Sequence, residues 1–80
     1  ASDGALVSRY ADTRDDAAFA ELVRRHGPMV LATCKRVLYP DVHTADDAFQ
    51  AAFLVLATRA AAVSPPERVG AWLHGVAVHV

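Results

Sequence analysis

Three potential ligand side chains lie close together at His43, Asp46 and Asp47, and an imidazole with two carboxylates is a donor set that a divalent cation can use. The two acids have a plainer explanation. In the first turn of a helix, carboxylates meet free N–H groups and the positive end of the helix dipole. The run Thr44-Ala45-Asp46-Asp47 has the spacing of a capping box, so capping is the expected role and metal-dependent hydrolysis the rival. His74 and His79 stand five apart, off the i, i+4 spacing of a helical zinc pair. His26 falls on an apolar helix face, where a hydrogen-bonded core histidine is expected. Cys34 is the sole cysteine, and nothing near it in sequence supplies the His or helix start that would activate a thiol. It reads as buried and inert. No Gly-rich phosphate loop occurs. These residues predict no catalytic group, no metal and no cofactor.

The elements that must position these groups read as helices. Isoleucine is absent, apolar and polar residues do not alternate over any length, and alanine, the best helix former, is the commonest residue. A short helix is predicted over about Asp3 to Ala11, with Leu6, Val7 and Tyr10 as a narrow apolar stripe resting on the other elements. Thr13-Arg14-Asp15-Asp16 has capping-box spacing and opens a long helix to about Leu38. Its apolar face is Phe19, Leu22, Val23, His26, Val30, Cys34, Val37 and Leu38, with Arg24, Arg25, Lys35 and Arg36 largely off that face. Gly27-Pro28 interrupts the sequence but not the apolar register, which predicts one kinked helix rather than two.

After a loop over 40–44, a third helix is expected from the Thr44 box to about Ala62. Phe49, Ala52, Phe53, Leu56 and Ala60 form one face, and Ala48, Ala51 and Val55 another. That arc is too wide for one packing neighbour, so the helix is either central or partly a binding surface. Ser64-Pro65-Pro66-Glu67 is a helix-start pattern, and Val69, Trp72, Leu73, Val76, Ala77 and Val80 continue a helical stripe. No Gly, Asn or basic residue closes the final turn, so a natural continuation beyond Val80 is expected.

Eighty residues hold one small domain. Of the 43 apolar residues, 17 are alanine, which leaves 26 larger side chains for a thin core. A lone cysteine excludes an internal disulfide framework and points to a reduced, cytoplasmic setting. No apolar run is long enough for a membrane span, and the first ten residues show no signal-peptide pattern. The net charge of −1 argues against a freestanding duplex binder. It conceals an alternation of −3 over residues 1–23, +4 over 24–40, −3 over 41–58 and +1 over 59–80.

The segment Asp46-Asp47-Ala48-Phe49-Gln50-Ala51-Ala52-Phe53-Leu54 resembles the core-polymerase-binding helix of bacterial sigma factors. With Ala18-Phe19-Ala20-Glu21-Leu22-Val23-Arg24-Arg25-His26 upstream and Ala71-Trp72-Leu73-His74-Gly75-Val76-Ala77 downstream, the order is similar to the second conserved region of the sigma-70-like, extracytoplasmic-function group. The likeness covers about Asp12 to Val80.

The resemblance implies an all-α bundle of three to four helices that acts without catalysis. Its partners would be core RNA polymerase, through the large-subunit coiled coil, and the non-template strand of the promoter minus-ten element. An anti-sigma factor is a further partner it admits, and a C-terminal DNA-binding domain would lie beyond this chain. Carried over by position, Asp47 and Gln50 would face the coiled coil, with Asp46 and Phe53 beside them. Capping is the competing role for Asp47, and simple solvation for Gln50. Phe49 and Phe53 are also core candidates, Phe53 the better one for partial exposure. The loop Ala61 to Arg68 and the following helix would hold an unstacked base, with Arg59, Arg68, His74 and His79 as the polar groups available. Trp72 could stack on a base, but its place on the Val69, Leu73 and Val76 stripe favours the core.

Two departures bear on this. Relatives usually carry basic residues and an Asn after the Trp-Leu pair, where this chain has Gly75, Val78 and His79. Position 51, often Glu in relatives, is Ala51. A helical protein-interaction module without direct DNA contact remains the alternative.

Overall fold

The computed structural model describes residues 1–79. It contains helices α1 (Asp3–Thr13), α2 (Asp16–Leu38), α3 (Val42–Arg59) and α4 (Val69–Val78), with 3₁₀ turns at Ala60–Ala62 and Pro66–Arg68. No strand occurs among the described residues. Val80, the end of the predicted apolar stripe, lies outside them.

The 23-residue α2 is the organising element. At 1.5 Å per residue it is about 34 Å long, which accounts for the 37 Å long axis of the molecule. It runs unbroken through Pro28, as the uninterrupted apolar register requires, and α1, α3 and α4 all pack against it. The core is built from Leu22, Val30 and Cys34 of α2, Ala45, Ala52 and Leu56 of α3, and Val69, Leu73 and Ala77 of α4. Leu6 and Val7 of α1 complete it. The buried alanines of α3 let its backbone come close to its neighbours, which is how a chain with few large apolar residues still closes a core. Thr33, the one buried polar residue among those described, donates its hydroxyl to Met29 O at 2.8 Å.

The helix starts differ from the predicted ones. Thr13 belongs to the last turn of α1, where its hydroxyl donates to Arg9 O, and Asp15 caps α2 by accepting from Ala17 N at 2.9 Å. Asp41 rather than Thr44 caps α3. Its two carboxylate oxygens accept from Thr44 N at 3.0 Å and Thr44 Oγ1 at 2.6 Å. A carboxylate one turn earlier outcompetes the hydroxyl because it bonds the free N–H while carrying full negative charge at the helix dipole. These bonds hold the Asp41 carboxyl below its ordinary value, the Thr44 hydroxyl contributing most. The third helix ends at Arg59 and passes into a 3₁₀ turn instead of continuing to Ala62. The fourth is entered through the 3₁₀ turn that begins at Pro66.

Helix α1 is fastened at both ends. Near its start, Asp3 accepts from His26 Nε2 at 2.9 Å and Arg25 Nη1 at 3.2 Å. Burial pushes the Asp3 carboxyl up, but the bonds from His26 and Arg25 outweigh this and leave it below the usual range. Glu21, bonded by Arg24 and then Arg25, is lowered to about 2. His26 is thus the satisfied histidine expected, wedged so close to α4 that a Cβ at Gly70 would lie 3.3 Å from its Cε1. Past the C-terminal end of α1, Arg14 takes the left-handed conformation at φ 56°. Its guanidinium lies 5.0 Å from the Tyr10 ring centroid and donates to Ala57 O, one of the free carbonyls at the end of α3.

Candidate functional site

Because α3 starts at Val42 with Asp41 as its cap, Asp46 and Asp47 are released from the capping role that the sequence suggested. Both are exposed, as is Gln50, and none of the three side chains forms a hydrogen bond or ion pair among the described residues. Asp47, Gln50 and Leu54 follow at i, i+3 and i+7, so they share one helix face; Asp46 and Ala57 lie beside it. His43, Asp46 and Asp47 do not form a three-ligand metal cluster.

Leu54 is the residue that sequence reasoning missed. It is 66% exposed, whereas Phe53 is only 6% exposed. The expectation that Phe53 would be the partly exposed aromatic is therefore corrected. Its ring is held edge-on by Phe49, with centroids 5.3 Å apart, and by Phe19 at 6.3 Å, and Phe19 in turn meets Tyr10 at 4.9 Å. Phe49 is the half-buried member of the pair on α3. The signal for Leu54 was its spacing from Asp47 and Gln50, which puts a large apolar side chain on the polar stripe.

Between α2 and α3 the surface opens into an apolar groove of about 290 Å³. Phe19 and Val23 form one wall, Phe49, Phe53 and Leu54 the other, and Gln50 stands at its edge. An acid and an amide beside such a groove can fix the register of a basic partner helix while the apolar area supplies the attraction. The wide apolar arc of α3 is used twice: Ala45, Ala48, Ala52 and Leu56 enter the core, while Phe49 and Phe53 also line this groove.

The second group of predicted site residues is at the other end of α3. Arg59 is its last residue, Arg68 closes the 3₁₀ turn leading into α4, His74 lies on the outer face of α4, and His79 follows that helix. All four are exposed, and none of their side chains is hydrogen-bonded or ion-paired among the described residues. Arg59 and Arg68 flank the connection over 60–68, whereas His74 lies within α4 and His79 beyond its end, so the four do not converge on one point. Trp72 is half-buried and packs on the core, as its stripe predicted. The outer face of α4 is otherwise Ala71, Gly75 and Val78, without a cation.

Beside this connection lies a cleft of about 300 Å³, closed on its far side by α1. Cys34 contributes to neither surface: it is fully buried, and burial raises its thiol pKa. No helix among the described residues is long and apolar enough to cross a membrane.

The described residues thus form an all-helical bundle with an unpaired acid–amide stripe on α3 and exposed arginines at both ends of the α3–α4 connection. Residues 22–80 match the family model of Sigma-70 region 2, and the chain belongs to that family. No match was found to a curated protein or to a solved structure. Members of the family are transcription initiation factors, not enzymes, and region 2 generally serves core RNA polymerase binding and recognition of the promoter minus-ten element.

Proposed function

We propose that this chain is a sigma region 2 domain of the extracytoplasmic-function type that docks on the large-subunit coiled coil of core RNA polymerase through Asp46, Asp47, Gln50 and Leu54. One observation carries the reading: the acids and the amide stand exposed and unpaired among the described residues on α3, beside an apolar groove, within the segment whose sequence resembles the polymerase-binding helix. Phe53 contributes from beneath, by holding the groove wall. The connection over 61–68 and α4 then hold the unpaired non-template strand of the minus-ten element, with Arg59 and Arg68 neutralising phosphates and His74 and His79 donating or accepting hydrogen bonds. An anti-sigma factor would act by covering one of these two surfaces.

The charge layout agrees with a domain that is delivered to DNA rather than one that finds it. Two fixed cations on the nucleic-acid side predict weak binding by the chain alone and a shallow salt slope, since the slope scales with the phosphates neutralised. The test is a gel-shift assay with core polymerase and a fluorescent single-stranded minus-ten oligonucleotide. Core polymerase with the chain should retain the non-template strand, and either component alone should not. Equal retention of the template strand, or tight binding of random duplex by the chain alone, would refute the reading.

A further inference from the structure

At the tip of the hairpin formed by α2 and α3, the chain shows water a large apolar surface. Tyr39 is 84% exposed and Val42 58%, and with Pro40 and Lys35 they line a groove of about 200 Å³. Large apolar side chains held together in the open mark a contact surface rather than a solvated turn.

The charges around the patch point to its occupant. Lys35 stands one turn before Tyr39 on α2, and Asp46 one turn after Val42 on α3. The two therefore lie at equal depth on neighbouring antiparallel helices, with the apolar tip beyond them. Both are exposed, and neither is ion-paired among the described residues. Asp41, also at the tip, is engaged by Thr44. A purely acidic partner would be repelled at Asp46 and a purely basic one at Lys35. Opposite charges set across a hairpin from one another, beside a shared apolar patch, are complementary to themselves under a two-fold rotation, which is what an isologous pair requires.

We propose that a second copy of this chain covers the hairpin tip, with α2 of each copy lying over α3 of the other. The two-fold axis then runs along the hairpin between the facing copies. Lys35 of each copy faces Asp46 of the other, and Tyr39 of each packs beside Val42 of the other. The apolar surface continues in register, since Val42, Phe49 and Phe53 share a face of α3 at i, i+7 and i+11 and lead into the groove between α2 and α3. Asp46 also belongs to the proposed docking face, so pairing and polymerase binding exclude one another. That exclusion rests on the docking reading, whereas the pairing does not.

The test is sedimentation equilibrium of the chain from micromolar to millimolar concentration. The mass should rise from monomer to dimer and stop there, because a two-fold contact closes on itself. Tyr39→Ser should weaken the pairing by about tenfold or more, since tyrosine is a common interface anchor and is lost from both halves. Its side chain is exposed, so this variant should melt with the unmodified chain, and misfolding would not imitate the loss. Lys35→Glu should weaken the pairing by about tenfold through its two symmetry-related repulsions, and Lys35→Glu combined with Asp46→Lys should recover it to within about threefold. A chain that stays monomeric throughout, a dimer indifferent to Tyr39→Ser, or an exchange of charges that recovers nothing overturns the proposal. With core polymerase added, the dimer should dissociate and one chain should bind each polymerase. Two paired chains on one polymerase would overturn the exclusion, and a polymerase that binds no chain would overturn the docking reading while the pairing stands.

Discussion

Phe53 and Leu54 are neighbours in sequence with opposite surroundings, and exchanging each for alanine separates the fold from the docking face. Phe53 is 6% exposed and packed between Phe19 and Phe49, so Phe53→Ala removes a buried ring and leaves a cavity. Core phenylalanine truncations cost about 3–5 kcal/mol, and a domain of this length has only about 4–12 kcal/mol to lose. At roughly 4–8 °C per kcal/mol, the melting temperature should fall by about 12–40 °C. Leu54 is 66% exposed, so Leu54→Ala should shift the melt by less than about 4 °C, the scale of a surface change within about 0.5 kcal/mol. Its cost should appear on polymerase instead, where losing a leucine side chain from an interface is worth about 1.5 kcal/mol, or roughly tenfold in affinity. Circular dichroism melts of both variants, with affinities for core polymerase, read the two effects. If Leu54→Ala destabilises the chain as much as Phe53→Ala does, or Phe53→Ala leaves the melt unchanged, the placement of these two residues is wrong.

Asp41→Ala should loosen the first turn of α3 and raise amide hydrogen exchange at Thr44 and its neighbours, with little change in α4; the sequence-predicted cap would instead make Thr44→Ala the more damaging variant. Acid should destabilise the fold in the window set by Glu21. Its folded value of about 2 lies below its ordinary 4.5, so the stability it contributes is fully present above about pH 4.5 and is lost as pH falls toward 2. Asp3 and Asp41, also lowered, act in the same direction. Melts at successive pH values should show this loss, and Glu21→Gln should reduce its steepness; a melting temperature that rises on acidification would contradict it. Cys34, buried and with its thiol raised, should react with a thiol reagent only as fast as the chain opens, and a burst of labelling under native conditions would contradict its burial.

Much of the fold was legible because the helical period is carried by large side chains. The stripe from Leu22 through Val30 to Cys34 continued past Gly27-Pro28, and α2 continues with it. The cap positions were not legible in the same way, since Thr13, Asp15, Asp41 and Thr44 are all competent caps. Which one serves depends on where the preceding chain turns, and Arg14 at positive φ sets that for α2. For the proposed binding residues, the family resemblance pointed to Asp47 and Gln50. Their freedom from capping came only with the structure, because it depends on Asp41 taking the Thr44 amide. Phe53 and Leu54 could not be told apart by type alone, since both are apolar on a helix with a wide apolar arc.

The central claim is that α3 presents its acid and amide to polymerase, and the most direct measurement is the affinity of the chain for core RNA polymerase with and without Asp47→Ala and Gln50→Ala combined. Both side chains are exposed and unpaired, so the double variant should melt within about 3 °C of the unmodified chain. Its affinity should drop by about a hundredfold, as expected for one charged and one neutral hydrogen bond lost from an interface. An unchanged affinity at unchanged stability would contradict the claim.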